Sequence, residues 1–500
     1  AENAGRKAHW AANEKVAYEL ALGVSYAGYR SLVTMKHVGL NVAMDAFVNS
    51  ALTGVQGGFV LLVADDPGMH SSQNEQDSRY LADFAHIPCL EPATGQEAYD
   101  YTRDAYGLSE RLKLPVMLRL VTRLAHCRGS VARRAPDPVS SVGLPHPSEV
   151  PGWVLAPANA RGQYQKLRQK LGPLLAEIGP YNRLIPGSAR RGLALAGLGR
   201  ALFFELAREA PSLLEWPRLE VSGLPLGGDL IDRFLGHADE IFVFEEDYPY
   251  VEDLLRNHAV GVAVHGRRDR TISLTGELSA SQVRDVLGIE RPAGKAPVTL
   301  AVPPRPPRFC DGCGHVDAFV ALKEALGRVG AAGTRIFGDI GCYAMAAGAP
   351  YDSMHACVEM GASVGMALGA AFAGLQPGVA VIGDSTFVHS GLPGFTSFAR
   401  ARANVTLLIM DNRTTGMTGQ QPVETVDMLE AIVTGLGLDP ARVHTIVPLA
   451  KRHAENVAVI EAALRHAGPS VVICRRECVQ ASRKGVNREH DRWLREAARG

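Results

Sequence analysis

The residues best suited to chemistry lie between Gly383 and Gln420. Gly383-Asp384-Ser385-Thr386-Phe387-Val388-His389-Ser390-Gly391 follows the apolar run 379–382, and Asp411-Asn412-Arg413-Thr414-Thr415-Gly416-Met417-Thr418-Gly419-Gln420 follows the apolar run 405–410. Each reads as a strand running straight into a small, polar loop, and open α/β sheets bind their ligands at such strand ends. A helical stretch at 392–403 joins the two. A strand–helix–strand unit lays its strands side by side and parallel, so Asp384 and Asn412 are expected at one sheet edge. A carboxylate and an amide oxygen there, with a backbone carbonyl nearby, suit a hard Mg²⁺ ion that also holds phosphates. The plainer alternative is a βαβ unit whose polar loops only cap its strands.

A second set of candidates is built on sulfur. Cys310 and Cys313 form a C-x-x-C behind the proline-rich stretch 291–309. Cys342 lies in Gly338-Asp339-Ile340-Gly341-Cys342-Tyr343, and Cys478 follows the last apolar run, 471–474. Thiolates so placed suit zinc or an iron–sulfur cluster, and residue type leaves the two open. Cys474, inside the strand, reads as buried, and Cys89, Cys127 and Cys357 read as structural.

The elements that must position these groups alternate between strand and helix, which predicts parallel sheets. In residues 8–129 a helix is expected at 13–29, strands at 31–35, 59–63 and 115–120, and a dense polar loop at 66–79. Glu14 opens the helix, where a glutamate also favours the helix dipole. The Arg79 guanidinium has the fork that grips a carboxylate bidentately, and His37 and His70 belong to the same region. Each of these three serves equally well as a hydrogen-bonder that holds the loop. Residues 130–190 are proline-punctuated around a basic helix at 158–171, and 191–289 reads as a second α/β unit. Its Gly197-Leu198-Gly199 lacks the third glycine of a dinucleotide turn. Glu245, Glu246 and Asp247 end a strand there with no chemistry to assign.

Five hundred residues imply roughly two to four domains. Lys+Arg and Asp+Glu balance at 52 each, so no charge excess argues for nucleic acid or an anionic membrane. No apolar run is long enough for a membrane span. Eight cysteines without an export signal are expected to be thiols or metal ligands, in a cytoplasmic protein. The start at Ala1 rather than Met suggests a trimmed or partial N-terminus.

The phrases GDSTFVHSG and DNRTTGMTGQQP, with NEKVA at 13–17, CDGCGH at 310–315 and GDIGC at 338–342, resemble the alpha-subunit family of indolepyruvate ferredoxin oxidoreductases, within the 2-oxoacid:ferredoxin oxidoreductases. The resemblance runs over nearly the whole chain. It implies an α/β fold of thiamine diphosphate-binding parallel-sheet domains plus a transketolase C-terminal-like domain. The expected division is 1–130, a pyrimidine-binding-type domain incomplete at its start; 131–190, a linker; 191–290, the transketolase C-terminal-like domain; 291–309, a linker; and 310–500, the diphosphate-binding domain.

The same resemblance implies roles residue by residue. Asp384, Asn412 and the Thr414 carbonyl would hold Mg²⁺, with Gly338, Asp339, Gly341, Gly383, Ser385, Gly416 and Thr418 contacting the cofactor. Glu14 would activate thiamine, and the loop carrying Arg79 and His70, with His37, would border the substrate. Cys310, Cys313, Cys342 and Cys478 would ligate a [4Fe–4S] cluster, with Asp311 where the family usually has proline. The implied reaction is oxidative decarboxylation of 2-oxoacids, arylpyruvates such as indolepyruvate, to acyl-CoA. Coenzyme A is the cosubstrate, and electrons leave through the cluster to ferredoxin or a similar acceptor. A smaller beta subunit is the implied partner in a hetero-oligomer. The family's YPGTPSS-like loop does not precede Glu14, and ferredoxin-like C-x-x-C-x-x-C runs do not precede Gly500. Onward clusters are therefore expected on a partner, or the electrons pass directly to a carrier. Two rival readings are a non-oxidative arylpyruvate decarboxylase that releases aldehyde, and a catalytically silent cofactor-binding subunit.

Overall fold

Apolar runs uninterrupted by charge become strands buried on both faces, as parallel sheets flanked by helices require. The computed structural model describes residues 8–135, 151–290, 303, 307–423, 425 and 427–486, and the chain divides into two units, Ala1–Val298 and Thr299–Gly500.

The first unit begins with β1 (Ser31–Lys36), β2 (Phe59–Asp65), β3 (Cys89–Leu90) and β4 (Val116–Val121), parallel in the order β1-β2-β4-β3. The chain continues through β5 (Arg183–Ile185), β6 (Arg191–Ala196), β7 (Arg218–Val221), β8 (Gly223–Leu224), β9 (Glu240–Phe244) and β10 (Ala263–His265). A second sheet runs β10-β9-β6-β7-β5, with only β5 antiparallel, and β8 crosses back to pair antiparallel with β3. The apolar runs mark the longer strands. β3, β5 and β8 are two or three residues long, too short to leave a period in the sequence. The expected linker at 131–190 contains two helices, Pro157–Gln169 and Leu171–Ile178, besides β5; its residues 136–150 lie outside the described residues.

The second unit holds β11 (Ile336–Gly338), β12 (Ala356–Cys357), β13 (Gly378–Gly383), β14 (Val405–Asp411), the hairpin pair β15 (Thr414–Thr415) and β16 (Gln421–Pro422), β17 (Val443–Ile446) and β18 (Pro469–Arg475). Six of these make a wholly parallel sheet in the order β12-β11-β13-β14-β18-β17. The helices Gly314–Arg328 and His453–Arg465 cover one face. Ala362–Phe372, Leu392–Phe398 and Leu429–Gly435 cover the other. The α/β fold class expected from the sequence is thus the observed one. The chain steps from β11 outward to β12 and returns to β13, so the strand order reverses between β11 and β13, and at such a reversal open α/β sheets bind ligands beyond the carboxyl ends. The helix expected from 392 starts earlier: Asp384–Thr386 is α-helical, Phe387–Gly391 is a π turn, and Leu392–Phe398 resumes the α-helix. Such π turns recur at functional sites. The proline-rich stretch 291–309 lies largely outside the described residues. Among those residues, no helix is long and apolar enough to cross a membrane.

Candidate active site

Asp384 opens the helix that leaves β13, and Asn412 is the first residue past β14. The register Gly383 to Met410 sets them at neighbouring strand ends. Asp384 is buried; its Oδ1 accepts the Ser385 N–H at 2.8 Å and its Oδ2 the Arg413 N–H at 2.7 Å. The Asn412 N–H also donates to this carboxylate. Burial first, and then the Asp411 carboxylate, pushes the Asp384 carboxyl up to about 8. A cation beside it would relieve both causes. Asn412 Oδ1 accepts the Thr414 N–H at 3.2 Å, and the β15–β16 hairpin fixes Thr414. Carboxylate, amide and main-chain carbonyl form an all-oxygen donor set, which fits Mg²⁺ bound together with phosphates. Gly416 is half-buried beside this set. Thr418 is exposed, with its hydroxyl donating to Gln421 Oε1 at 2.7 Å.

The loop after β11 faces the same edge. Asp339 is fully buried, and its carboxylate accepts the Ser363 N–H at 3.0 Å and the Ser363 hydroxyl at 2.5 Å, which caps the helix Ala362–Phe372. Burial still lifts it to about 6. With its side chain so committed, Asp339 offers a cofactor its backbone. The Tyr343 ring lies against Gly341 and Gly383, where any Cβ would collide with it. Its hydroxyl donates to the Ile340 carbonyl at 3.2 Å and stands 3.4 Å from Thr386 Oγ1, tying the two loops together. Gly338 packs as closely on Met354.

The cysteines gather on this edge. Cys313 N–H donates to the Cys310 carbonyl at 3.1 Å, in a turn that needs Gly312 at φ 77°. Arg476 packs on Gly314 and donates to Asp317 and to the Pro448 carbonyl, each at 2.9 Å. That docks the Cys478 segment against the Cys310–Cys313 turn. The Cys478 N–H reaches the Asn412 carbonyl at 3.1 Å. Burial first, and then the other thiols of the set, raises Cys313 and lifts Cys342 to about 11. Among the described residues no three His, Cys, Asp or Glu side chains are grouped to hold one metal ion, yet the four thiols act on one another. Four thiols within electrostatic reach of one another are a donor set of the kind that suits an iron–sulfur cluster. A Cβ on Gly416 would stand 3.3 Å from Cys342 Sγ and 3.9 Å from Asn412 Nδ2. The sulfur set and the metal–phosphate loop are therefore in contact. Cys127 and Cys357, expected to be structural, are exposed, whereas Cys89 and Cys474 are buried.

In the first unit, Glu14 begins the helix Glu14–Tyr26, whose N-cap Asn13 accepts the Val16 N–H at 2.9 Å. The Glu14 side chain lies over Gly39 in the first turn of the helix His37–Thr53; a Cβ there would be 2.6 Å from Glu14 Oε1. Arg79 does not clamp an incoming carboxylate. It is fully buried, with Asp77 at 2.5 Å and Glu245 at 2.8 Å, and it donates to the Glu246 carbonyl at 2.8 Å. Arg119 is packed into the same cluster by Asp65, Glu91 and Asp247. His37 is likewise enclosed rather than pocket-lining, its ring nitrogens 3.4 Å and 3.2 Å from the carbonyls of Ala64 and Asn74. His70 is exposed and stands 3.3 Å from Glu277.

Residues 339–474 match the thiamine pyrophosphate enzyme, C-terminal TPP binding domain. The indolepyruvate oxidoreductase subunit IorA of Archaeoglobus fulgidus is 37% identical over 503 residues, spanning 94% of this chain and 78% of that one. The chain belongs to the indolepyruvate oxidoreductase subunit IorA family. The IorA of Methanothermobacter marburgensis is 34% identical over 512 residues, spanning 96% of this chain and 80% of its own. Among solved structures, the 2-oxoglutarate:ferredoxin oxidoreductase from Magnetococcus marinus overlays 57% of each chain with a TM-score of 0.46 at 16% identity.

In this IorA-family chain the thiamine pyrophosphate-binding region contains Asp339, Cys342, Asp384, Asn412 and Thr414, while Cys310, Cys313 and Cys478 flank it. Sequence reasoning passed over Tyr343, Ser363, Arg476 and Gly39. Tyr343 stands next to a quoted motif and was open to notice. The pairing of Gly39 with Glu14 has no linear signature.

Proposed function

We propose that the chain is the catalytic subunit of a thiamine diphosphate-dependent 2-oxoacid oxidoreductase acting on arylpyruvates such as indolepyruvate. Coenzyme A is its cosubstrate, and ferredoxin or a similar one-electron carrier its acceptor. The observation that carries this reading is the contact at Gly416, where the Cys342 thiol meets the Asn412 loop. An electron exit built against the cofactor loop favours oxidation over aldehyde release. The relatives, named as oxidoreductase subunits, support it, and a smaller beta subunit is the proposed partner.

Bound thiamine diphosphate would supply the electron sink that lets a 2-oxoacid lose CO₂, and the cluster an outlet taking electrons singly. The chain's own residues do the rest. Asp384, Asn412 and the Thr414 carbonyl would hold Mg²⁺. The backbones of Gly338, Asp339, Gly341, Gly383, Ser385, Gly416 and Thr418 would line the loops around the diphosphate. Glu14 would hold a proton for the aminopyrimidine ring nitrogen. Cys310, Cys313, Cys342 and Cys478 would hold the [4Fe–4S] cluster. In this scheme residues 1–130 are the pyrimidine-binding-type region, 191–290 the transketolase C-terminal-like region and 310–500 the diphosphate-binding region, in a cytoplasmic hetero-oligomer.

The test is metal analysis and turnover of the protein purified anaerobically with its partner subunit. About four irons and four sulfides per chain, a reduced-cluster paramagnetic signal and indolepyruvate-dependent, coenzyme A-dependent dye reduction are expected. About one zinc without iron, with aldehyde formed in the absence of any acceptor, would overturn the proposal.

A further inference from the structure

His315, the second residue of the helix Gly314–Arg328, is 7% exposed, and neither of its ring nitrogens has a hydrogen-bond partner. A buried N–H left without an acceptor is costly, and buried polar groups in proteins are otherwise satisfied. In either protonation state the imidazole carries at least one ring N–H.

The walls of its pocket say where that N–H belongs. Phe309 meets the ring edge-on at 6.4 Å and immediately precedes Cys310; Tyr343 meets it edge-on at 6.0 Å and immediately follows Cys342. The His315 backbone N–H itself donates to Cys313. The ring thus lies between the chain neighbours of two of the four thiols, and its own backbone is tied to a third. A trapped water needs two to four polar partners, and Phe309 offers none.

We infer that His315 donates its ring N–H to a sulfur of the iron–sulfur cluster and so makes that cluster easier to reduce. The inference rests on the cluster proposed above. Reduction adds negative charge to the cluster, and a donor aimed at its sulfur stabilises the more negative form. His315 is a tuning residue and needs no contact with substrate.

The experiment uses the anaerobically purified holoenzyme with its partner, as wild type, His315→Phe and His315→Gln. Phenylalanine fills the slot without a donor, and glutamine restores an N–H. In His315→Phe, with iron content retained, the equilibrium constant for one-electron reduction is expected to fall about tenfold, about 59 mV toward negative potential. His315→Gln recovers part of the shift. Pulsed paramagnetic resonance of wild-type protein labelled with ¹⁵N-histidine is expected to show an imidazole nitrogen coupled to the reduced cluster. Unchanged potential in His315→Phe, or no nitrogen coupling in the wild type, overturns the inference while the cluster stands. If His315→Phe fails to take up iron, the wild-type coupling decides, its presence supporting and its absence refuting. Wild-type protein without iron overturns the underlying cluster reading, and the inference with it.

Discussion

Gly39 offers the sharpest test of how Glu14 is positioned. In Gly39→Ala the new Cβ would meet Glu14 Cγ at 2.5 Å, Oε1 at 2.6 Å and Cδ at 2.7 Å, where ordinary contacts begin at 3.4 Å. The carboxylate must therefore retreat by about 1 Å. Because the obstacle is the end of a flexible side chain, the fold gives way easily. Alanine also suits a helix better than glycine by up to about 1 kcal/mol, so stability is expected to hold or rise slightly. Activation should not hold: a misplacement of about 1 Å costs on the order of 10²-fold in rate, or about 2.7 kcal/mol of barrier.

The assay is exchange of the thiamine C2 proton for deuterium in the enzyme–cofactor complex, followed by acid quench. It reports activation alone, without substrate or electron acceptor. Glu14→Asp withdraws the carboxylate by one methylene, so adding Gly39→Ala to it should slow exchange little further, a non-additive cycle. Wild-type exchange in Gly39→Ala, with Glu14→Ala still inactive, would refute the positional argument. Full exchange in Glu14→Ala would remove Glu14 from the mechanism.

Three further outcomes are expected. Arg79→Met should lose about 3–5 kcal/mol in denaturant titration, because it strands buried carboxylates, while the KM for the 2-oxoacid stays unchanged; raised KM at unchanged stability would return Arg79 to the substrate. Glu246 is buried and its carboxyl is pushed from 4.5 to about 7, so the folded state holds the proton more tightly than the unfolded one. Its contribution to stability therefore falls as pH rises from about 4.5 to about 7 and is flat above, by up to about 3 kcal/mol. Relative to Glu246→Gln, the wild type should lose stability across that window, and parallel melting curves there would contradict the assignment. Gly416→Ala presses on the Cys342 sulfur and adds an ordinary contact to Asn412. Overpacking of about 1–3 kcal/mol should weaken thiamine diphosphate binding and change the cluster's resonance line shape in the same variant; a change in only one would break the link.

What the sequence made legible was local. Asp384 and Asn412 each follow an apolar run directly, and β13 and β14 are sequential parallel neighbours, so pattern and connection rule together placed both on one edge. The four thiols were readable one at a time from their motifs. Their convergence was not, because it depends on β18 lying beside β14 and on Arg476 packing against Gly314, some 160 positions away. Arg79 shows the opposite failure. A dense polar loop suggests a ligand site, but the carboxylates that occupy its guanidinium include Glu245, brought in from a different sheet. Linear spacing carries no trace of that partner, and a buried ion-pair cluster reads like a binding loop. Cys357 reads as structural, and its exposure follows from its place in β12, an edge strand of the sheet.

The order of the strands bears on why these two chemistries share one edge. β11, β13, β14 and β18 stand in that order, and their carboxyl ends deliver Cys342, Asp384, Asn412 and Cys478 respectively. Adjacent strands lie about 4.8 Å apart, so the strand that ends in Asp384 and the strand that leads to Cys478 are separated by about 10 Å, with β14 between them. The residue that follows β14 serves both sides: the Asn412 amide oxygen accepts the Thr414 N–H, and the Asn412 carbonyl accepts the Cys478 N–H. In the proposed scheme, the spacing of cofactor and cluster would be a property of the hydrogen-bonded sheet rather than of its loops. Loops could then vary the substrate, while the proposed electron path would stay fixed by backbone that cannot move without breaking the sheet's own hydrogen bonds.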